Sequence, residues 1–290
     1  MPSLKEFNVK LARLRSTRKM TRTMKLVSVN KLRRAQEAEK RTALCSARMM
    51  EIVARLAGAG ITHDHALLLP RRSVRSVLVV VFTSDRGLCG GFNNVLLRTT
   101  QAWIEKQVAA GRRVDVNCSG RRGNSFFRSR RDVNRYYEDA AARPEFAHAL
   151  RIGREVQGAF LSGRIDEVYL AYNRSINALT QTPTIESLLP LNPADLTRAL
   201  PAAKAGDCIF DPDRAELLAS LLPRVANLKI YAALQSTAAG EHSARMRAMD
   251  QATTNAENLI LSLTLQRNRA RQAQITTELT EIVAGAEALK

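Results

Sequence analysis

Both ends of this chain carry apolar residues at alternating steps of three and four over unusually long stretches. In the first 60 residues these steps run, with two gaps, through Leu4, Phe7, Leu11, Leu14, Met20, Met24, Val27, Cys45, Met49, Ile52 and Leu56. No proline or glycine lies between Ser3 and Ala57, and Gly58 and Gly60 follow. This spacing is typical of a coiled-coil helix that ends at glycine, so residues 1–60 are predicted to form one long helix.

The C-terminal part, residues 212–290, repeats this pattern in two runs. The runs consist of Met246, Met249, Thr253, Ala256, Ile260 and Leu263, and then of Ile275, Leu279, Ile282, Ala286 and Leu289. A polar stretch from Arg267 to Gln272 separates them, and Pro223 is expected to bend the helix near its start. Two such helices at opposite ends of one chain can pair along their apolar seams, so an antiparallel coiled coil is predicted.

Between the two helical segments the pattern changes to alternating strands and helices. Val77 to Phe82 is a continuous, largely β-branched apolar run, typical of a strand that is buried on both faces. Further strands are predicted at residues 114–118, 168–172 and 178–189, and helices at residues 93–110, 121–130 and 144–163. Residues 70–190 are therefore predicted to form an inserted α/β domain with a largely parallel sheet and Pro183 on an edge strand, followed by a linker at residues 191–211.

The charge of the chain is concentrated near its N-terminus. The sequence has 45 lysines and arginines against 27 aspartates and glutamates, a formal net charge of +18. From Lys10 to Arg34 there are ten basic residues and no acidic one. We call this segment the basic stripe. It predicts an acidic partner, and nucleic acid, an anionic membrane surface and an acidic protein all fit that description.

No set of residues typical of a catalytic site is present in the sequence. There is no Gly-Lys dipeptide and therefore no P-loop, and the glycine-rich segment Gly87 to Gly91 fits a tight turn better than a dinucleotide loop. Cys89 in that turn is interpreted as a packed side chain, and His63 and His65 as part of a solvated turn. No cofactor and no metal is predicted, and the longest apolar run, of about six residues, is too short to span a bilayer.

Several motifs resemble one known family. Ser84-Asp-Arg-Gly-Leu-Cys-Gly-Gly-Phe-Asn93 is similar to the strand-to-helix signature of the gamma subunit of F-type ATP synthase. Further segments that match the family are 23–27 and 31–36 in the first helix and 242–256, 268–272 and 275–283 in the last. The resemblance covers nearly the whole chain. The absence of a transit segment ahead of the first-helix motif favours a bacterial member of the family.

The resemblance implies a fold and a set of partners. In this family the terminal helices form an antiparallel coiled coil, which is the rotor shaft inside a ring of three alpha and three beta subunits. The Rossmann-like domain binds no dinucleotide, and together with the epsilon subunit it forms the foot on the membrane c-ring. Catalysis belongs to the beta subunits. The implied location is peripheral, on the cytoplasmic face of the bacterial inner membrane, with no nucleic acid bound.

The resemblance also implies partner-contact residues. Met24 and Lys25 match the place where the family's shaft meets the acidic tip of a beta subunit. Arg271 and Gln272 match a polar catch that hydrogen-bonds loops of the beta ring. Asp211 lies in Phe210-Asp-Pro212, which resembles the segment of the foot that touches c-ring loops.

Two other functions remain open from the residues alone. A nucleic-acid-binding coiled coil would explain the basic stripe, and it should lose affinity steeply with salt. An α/β enzyme with helical oligomerisation arms would explain the architecture, although the sequence offers it no acid/base pair.

Overall fold

The computed structural model of the chain describes residues 3–58, 65–177, 180–192 and 214–287. The helices are α1 (Leu4–Gly58), α2 (Phe92–Ala109), α3 (Arg121–Arg128), α4 (Phe146–Leu161) and α5 (Arg214–Glu287). The strands are β1 (Ser76–Phe82), β2 (Arg113–Ser119), β3 (Arg135–Tyr137), β4 (Glu167–Ser175) and β5 (Gln181–Leu189). Two long terminal helices with an inserted α/β region confirm the predicted fold class.

The chain forms two compact units. One consists of Met1–Ser28 with Arg245–Lys290, and the other of Val29–Ala244. Each long helix contributes to both units, since α1 continues beyond Ser28 and α5 begins before Arg245. The domain boundaries predicted from the sequence divide the chain differently and stay predictions.

The larger unit is built on a five-stranded sheet in the order β3-β2-β1-β4-β5. The first four strands are mutually parallel, whereas β5 pairs antiparallel with β4 at the edge. Pro183 of β5 lies opposite Asn173. Proline has no backbone N–H to donate, and an edge strand tolerates that missing hydrogen bond. Strand β3 was not predicted, because three residues are too few to show an alternating pattern.

Strand β1 is central and is covered on both faces. Leu78, Val80 and Phe82 point into one apolar cluster, together with residues of α4 and α5. Val79 and Val81 point into a second cluster, which contains residues of α2 and α3. All five side chains are at most 2% exposed, which explains why the strand is apolar without alternation.

Helix α5 runs through Pro223 without a break. The carbonyl oxygen of Pro223 accepts a hydrogen bond of 3.2 Å from Nε2 of Gln157 on α4. The same Nε2 also donates to Oδ1 of Asn227 over 2.9 Å. One 18-residue window of α5 has a mean hydropathy of 1.3, enough by length and composition to cross a membrane, but half of the window is buried in the protein, as in a core helix.

Candidate functional site

The smaller unit is an antiparallel pair of helical segments, from α1 and from the C-terminal part of α5. The hydroxyls of Thr21 and Thr253 lie 2.7 Å apart, and Nζ of Lys25 lies 2.6 Å from Oδ1 of Asp250. Residue numbers rise along one helix as they fall along the other, which defines the antiparallel direction. The predicted antiparallel coiled coil is therefore confirmed in this unit.

The residues that line the seam of α1 differ from those predicted. Phe7 and Leu11 are buried as expected, but the next buried positions are Thr21 and Ser28. The predicted seam residues Met20 and Val27 are 62% and 49% exposed, and Met24 is half-buried. The prediction of Met20 and Val27 as seam residues is wrong.

The reason is that the three-and-four spacing continues through polar residues. Counting on from Leu14 at steps of four and three reaches Arg18, Thr21, Lys25 and Ser28. The predicted seam followed apolar side chains. Its residues Met20, Met24 and Val27 therefore each lie one position before the true seam. The strict spacing from Phe7 was the signal that could have found the polar seam. The same shift occurs later in α1, where Val53 is buried and Ile52 is 50% exposed.

Hydroxyl groups in the polar seam bond to the backbone of their own helix. Ser28 Oγ donates to the Met24 carbonyl over 2.7 Å, and Thr21 Oγ1 lies 3.1 Å from the Arg18 carbonyl. Such bonds satisfy the hydroxyls of side chains that are at most 8% exposed. A polar seam costs some pairing energy but specifies the register of the two helices.

Met24 and Lys25 lie at the margin of this polar seam. Met24 is half-buried, and the Lys25 side chain is 37% exposed although its ammonium is paired with Asp250. Most of the other cations of the basic stripe are exposed. The surface around the two predicted contact residues is therefore positively charged, and Asp250 provides a negative charge within it.

The second predicted site lies near the C-terminus of α5. Arg271 and Gln272 are exposed, and every residue from 271 to 286 whose burial is described is exposed as well. The apolar residues Ile275 and Leu279 are 48% and 57% exposed. The sequence pattern placed them in the intrachain seam, and that prediction is wrong.

The geometry of the pair explains this exposure. If the spacing of the pairs Thr21–Thr253 and Lys25–Asp250 continues, Leu4 at the start of α1 lies level with about residue 270 of α5. The N-terminal end of α1 therefore lies just before the apolar run of α5 that begins at Ile275, and α1 does not extend alongside that run. The exposed segment 271–286 carries both donors, from Arg271 and Gln272, and an apolar face. Asp211, the third predicted contact, lies outside the described residues.

The glycine-rich turn is a packing feature, as the sequence predicted. Asn93 Nδ2 donates to Ser84 Oγ over 2.7 Å and to Cys89 Sγ over 3.3 Å, and Asn93 Oδ1 accepts from the Ser84 amide over 3.0 Å. Cys89 is 3% exposed and packs with Phe92 and Ala244. This turn follows β1 at the carboxyl end of the sheet, where doubly wound folds commonly bind ligands.

Helix α5 occupies that end of the sheet. A β-carbon added at Gly240 would lie 2.9 Å from Cε2 of Phe92, the first residue of α2. Ser236 Oγ accepts a hydrogen bond of 2.9 Å from the amide of Ser175 at the end of β4. Helix α5 therefore packs closely against the first residue of α2 and the end of β4 at this end of the sheet.

Two side chains of types that often serve in catalysis, Cys118 and His65, have shifted pKa values. Burial raises the pKa of Cys118 to about 12, so its thiol is protonated and is a poor nucleophile. His65 accepts a hydrogen bond of 3.2 Å from the Leu67 amide at Nδ1, and burial lowers its pKa; His63 lies outside the described residues. No group of three or more metal-ligating side chains occurs in the described part of the chain.

One polar groove of about 470 Å³ lies between β2 and α4. Arg135, Arg154 and Arg164 line it together with Asp115 and Glu155. Arg135 Nε pairs with Glu155 Oε2 at 3.2 Å, and Tyr137 donates to the same oxygen over 3.0 Å. Cations and carboxylates are therefore mixed in this groove.

Comparison with known proteins gives one consistent result. A profile of the ATP synthase family matches residues 3–289. The ATP synthase gamma chain of Anaeromyxobacter dehalogenans is 42% identical, and that of Trichlorobacter lovleyi is 37% identical; both alignments cover all of both chains.

Solved structures agree on the fold. A chain of the Euglena gracilis mitochondrial ATP synthase assembly of OSCP, F1 and c-ring superposes with a TM-score of 0.67 at 19% identity, over 99% of this chain and 94% of that one. A chain of the Tetrahymena thermophila central stalk and c-ring gives 0.56 at 21% identity, over 80% and 99%. Nothing in these relatives supports a nucleic-acid-binding protein. The chain belongs to the gamma-chain family of the F-type ATP synthases.

Proposed function

We propose that this chain is the central rotor shaft of a bacterial F-type ATP synthase, coupling ion flow through a membrane c-ring to ATP synthesis or hydrolysis on the beta subunits. The observation that carries the proposal is the antiparallel helix pair from which α5 continues alone, with segment 271–286 exposed. A bacterial gamma chain that is 42% identical over the full length of both chains supports the same role. The partners are the alpha and beta subunits, the epsilon subunit and the c-ring.

A shaft of this kind acts through its asymmetry. A single chain inside a ring with three like catalytic sites presents a different surface to each site. A partner shifts an equilibrium only by the difference in its affinity for the two states, and the shaft supplies that difference mechanically. Rotation of the shaft moves the difference from one site to the next.

Two surfaces are proposed to make these contacts. Around Met24 and Lys25, the basic stripe suits an acidic tip of a beta subunit, because opposite charges attract and set the register of an interface. Arg271 and Gln272 are exposed, so their donors are accessible to a partner, as a catch on loops of the beta ring requires. Asp211 is proposed to touch the c-ring, on the sequence resemblance alone.

The chain is further proposed to have no catalytic site of its own and to lie on the cytoplasmic face of the inner membrane. The absent P-loop and the protonated Cys118 thiol support the first point. Calorimetric titration of the isolated chain with ATP tests it. We expect no heat of binding at micromolar ATP, and micromolar affinity would refute it.

The catch is tested by truncating its two donors together. Hydrogen bonds to charged groups contribute about 1.5–3 kcal/mol each. Arg271→Ala with Gln272→Ala should therefore reduce the ATPase rate of the reconstituted complex about tenfold or more, since 1.4 kcal/mol corresponds to a factor of ten.

Thermal melting of the isolated chain is the matched control for this variant. Both side chains are exposed, so the melting temperature should stay the same. A variant that melts early but retains full ATPase activity would assign these residues to the fold and refute the catch.

A further inference from the structure

Lys25 occupies a seam position of the helix pair although its side chain is charged. It follows Thr21 by four residues and precedes Ser28 by three, in the same spacing as the buried residues Phe7 and Leu11. Its ammonium lies 2.6 Å from Oδ1 of Asp250 on α5. The ion pair thus crosses from one helix to the other, one turn from the Thr21–Thr253 contact.

Asp250 stands alone among the acidic residues of this part of the sequence. Helix α5 has no other carboxylate between Glu241 and Glu257, and α1 has none between Glu6 and Glu37. One carboxylate therefore faces a stripe of cations. Of these cations, it is Lys25 that Asp250 contacts at hydrogen-bonding distance.

We infer that Asp250 is a positioning residue for the contact surface at Met24 and Lys25. It holds the Lys25 ammonium across the helix pair and neutralises it, so that this cation is withheld from the acidic partner. The inference rests on the proposed rotor function and adds a second helix to the site. The partner then contacts the Met24 side chain and the cations of the basic stripe other than Lys25. Its attraction to the shaft stays weak enough for the contact to break at each rotary step.

The exposure of the pair supports a role in contact strength more than in folding. The Lys25 and Asp250 side chains are 37% and 56% exposed, and ion pairs at such positions contribute little to stability. A lysine side chain is flexible, so an ammonium released from Asp250 can turn toward a carboxylate of the partner. Loss of Asp250 should therefore act like the addition of a cation beside Met24.

Asp250→Asn in the reconstituted membrane complex tests this inference. We expect ATP hydrolysis to persist while ATP-driven ion pumping per ATP falls at least about threefold, because one rotary position is held too tightly. Combining Lys25→Met with Asp250→Asn removes the released ammonium, and it should recover at least half of the lost coupling. Glu257→Gln is the matched control, since it removes the same charge from an exposed position of α5, and its coupling should equal that of the wild type.

The outcomes separate the inference from the function on which it rests. Failure of the wild-type chain to support any ATP-driven pumping would refute the rotor function itself. Normal pumping by Asp250→Asn, or a double variant no better coupled than Asp250→Asn, would overturn the role of Asp250 alone. Thermal melting should place Asp250→Asn within about 2 °C of the wild type, and a larger loss would show that the ion pair belongs to the fold.

Discussion

Gly120 connects β2 to α3, and its replacement by alanine should destabilise the larger unit strongly. Its backbone has φ of 99° and ψ of 135°. Residues other than glycine adopt this conformation at a cost of about 1–3 kcal/mol. A β-carbon there would lie 2.6 Å from the carbonyl carbon of Thr83 and would overlap its oxygen. Overpacking against a backbone atom costs about another 1–3 kcal/mol, so Gly120→Ala should cost about 2–6 kcal/mol in total.

Gly111→Ala separates the two contributions. Gly111 also has a positive φ, of 78°, but nothing lies within 4 Å of an added β-carbon. This variant should lose only the backbone cost of about 1–2 kcal/mol. For a chain of this size, a loss of about 1 kcal/mol lowers the melting temperature by about 2 °C. The melting temperature should therefore fall by about 4–12 °C for Gly120→Ala and by about 2–4 °C for Gly111→Ala. Equal losses would refute the contact with Thr83 as the cause.

Two further predictions concern pH and the helix seam. Burial raises the pKa of Asp166, but the amides of Arg75 and Ser76 and the Ser76 hydroxyl donate to its carboxylate and hold the pKa below its usual value of 3.8. Asp166→Asn should therefore lower the melting temperature at pH 7. The difference from wild type should shrink once the pH falls below 3.8, where the unfolded chain takes up the proton first, and it should vanish below the lower pKa of the folded state. A difference independent of pH would contradict this. Leu11→Ala, at a seam position 2% exposed, should cost about 2–5 kcal/mol in urea unfolding, whereas Leu279→Ala, 57% exposed, should change stability by less than about 0.5 kcal/mol. Comparable losses would mean that segment 271–286 is covered within the isolated chain.

The sequence predicted the elements that have strong periodicity. The apolar run Val77 to Phe82 identified a strand buried on both faces, and the steps through Phe7 and Leu11 identified a coiled-coil helix. These features were readable because packing on both faces, or on one stripe, imposes a simple spacing on apolar residues. Glycine at 58 likewise predicted the end of α1, which the structure places at Gly58.

The parts that could not be predicted depend on polar residues and on chain ends. Thr21 and Ser28 fill seam positions that a search for apolar side chains passes over, and their backbone hydrogen bonds are visible only in the folded helix. The exposure of Ile275 depends on where α1 begins relative to α5, which periodicity does not specify. The contact between Asp250 and Lys25 depends on the register of the two helices, which the sequence pattern does not specify.

Single-molecule rotation would show whether this chain is the rotor shaft. The head of alpha and beta subunits would be fixed to a surface, and a bead would be attached to Cys45 of helix α1, which is exposed and lies in the larger unit. With ATP added, a rotor shaft should turn in one direction with three dwells per turn, one for each catalytic site. ATP hydrolysis by the assembled head without rotation of the bead would contradict the assignment of this chain as the shaft.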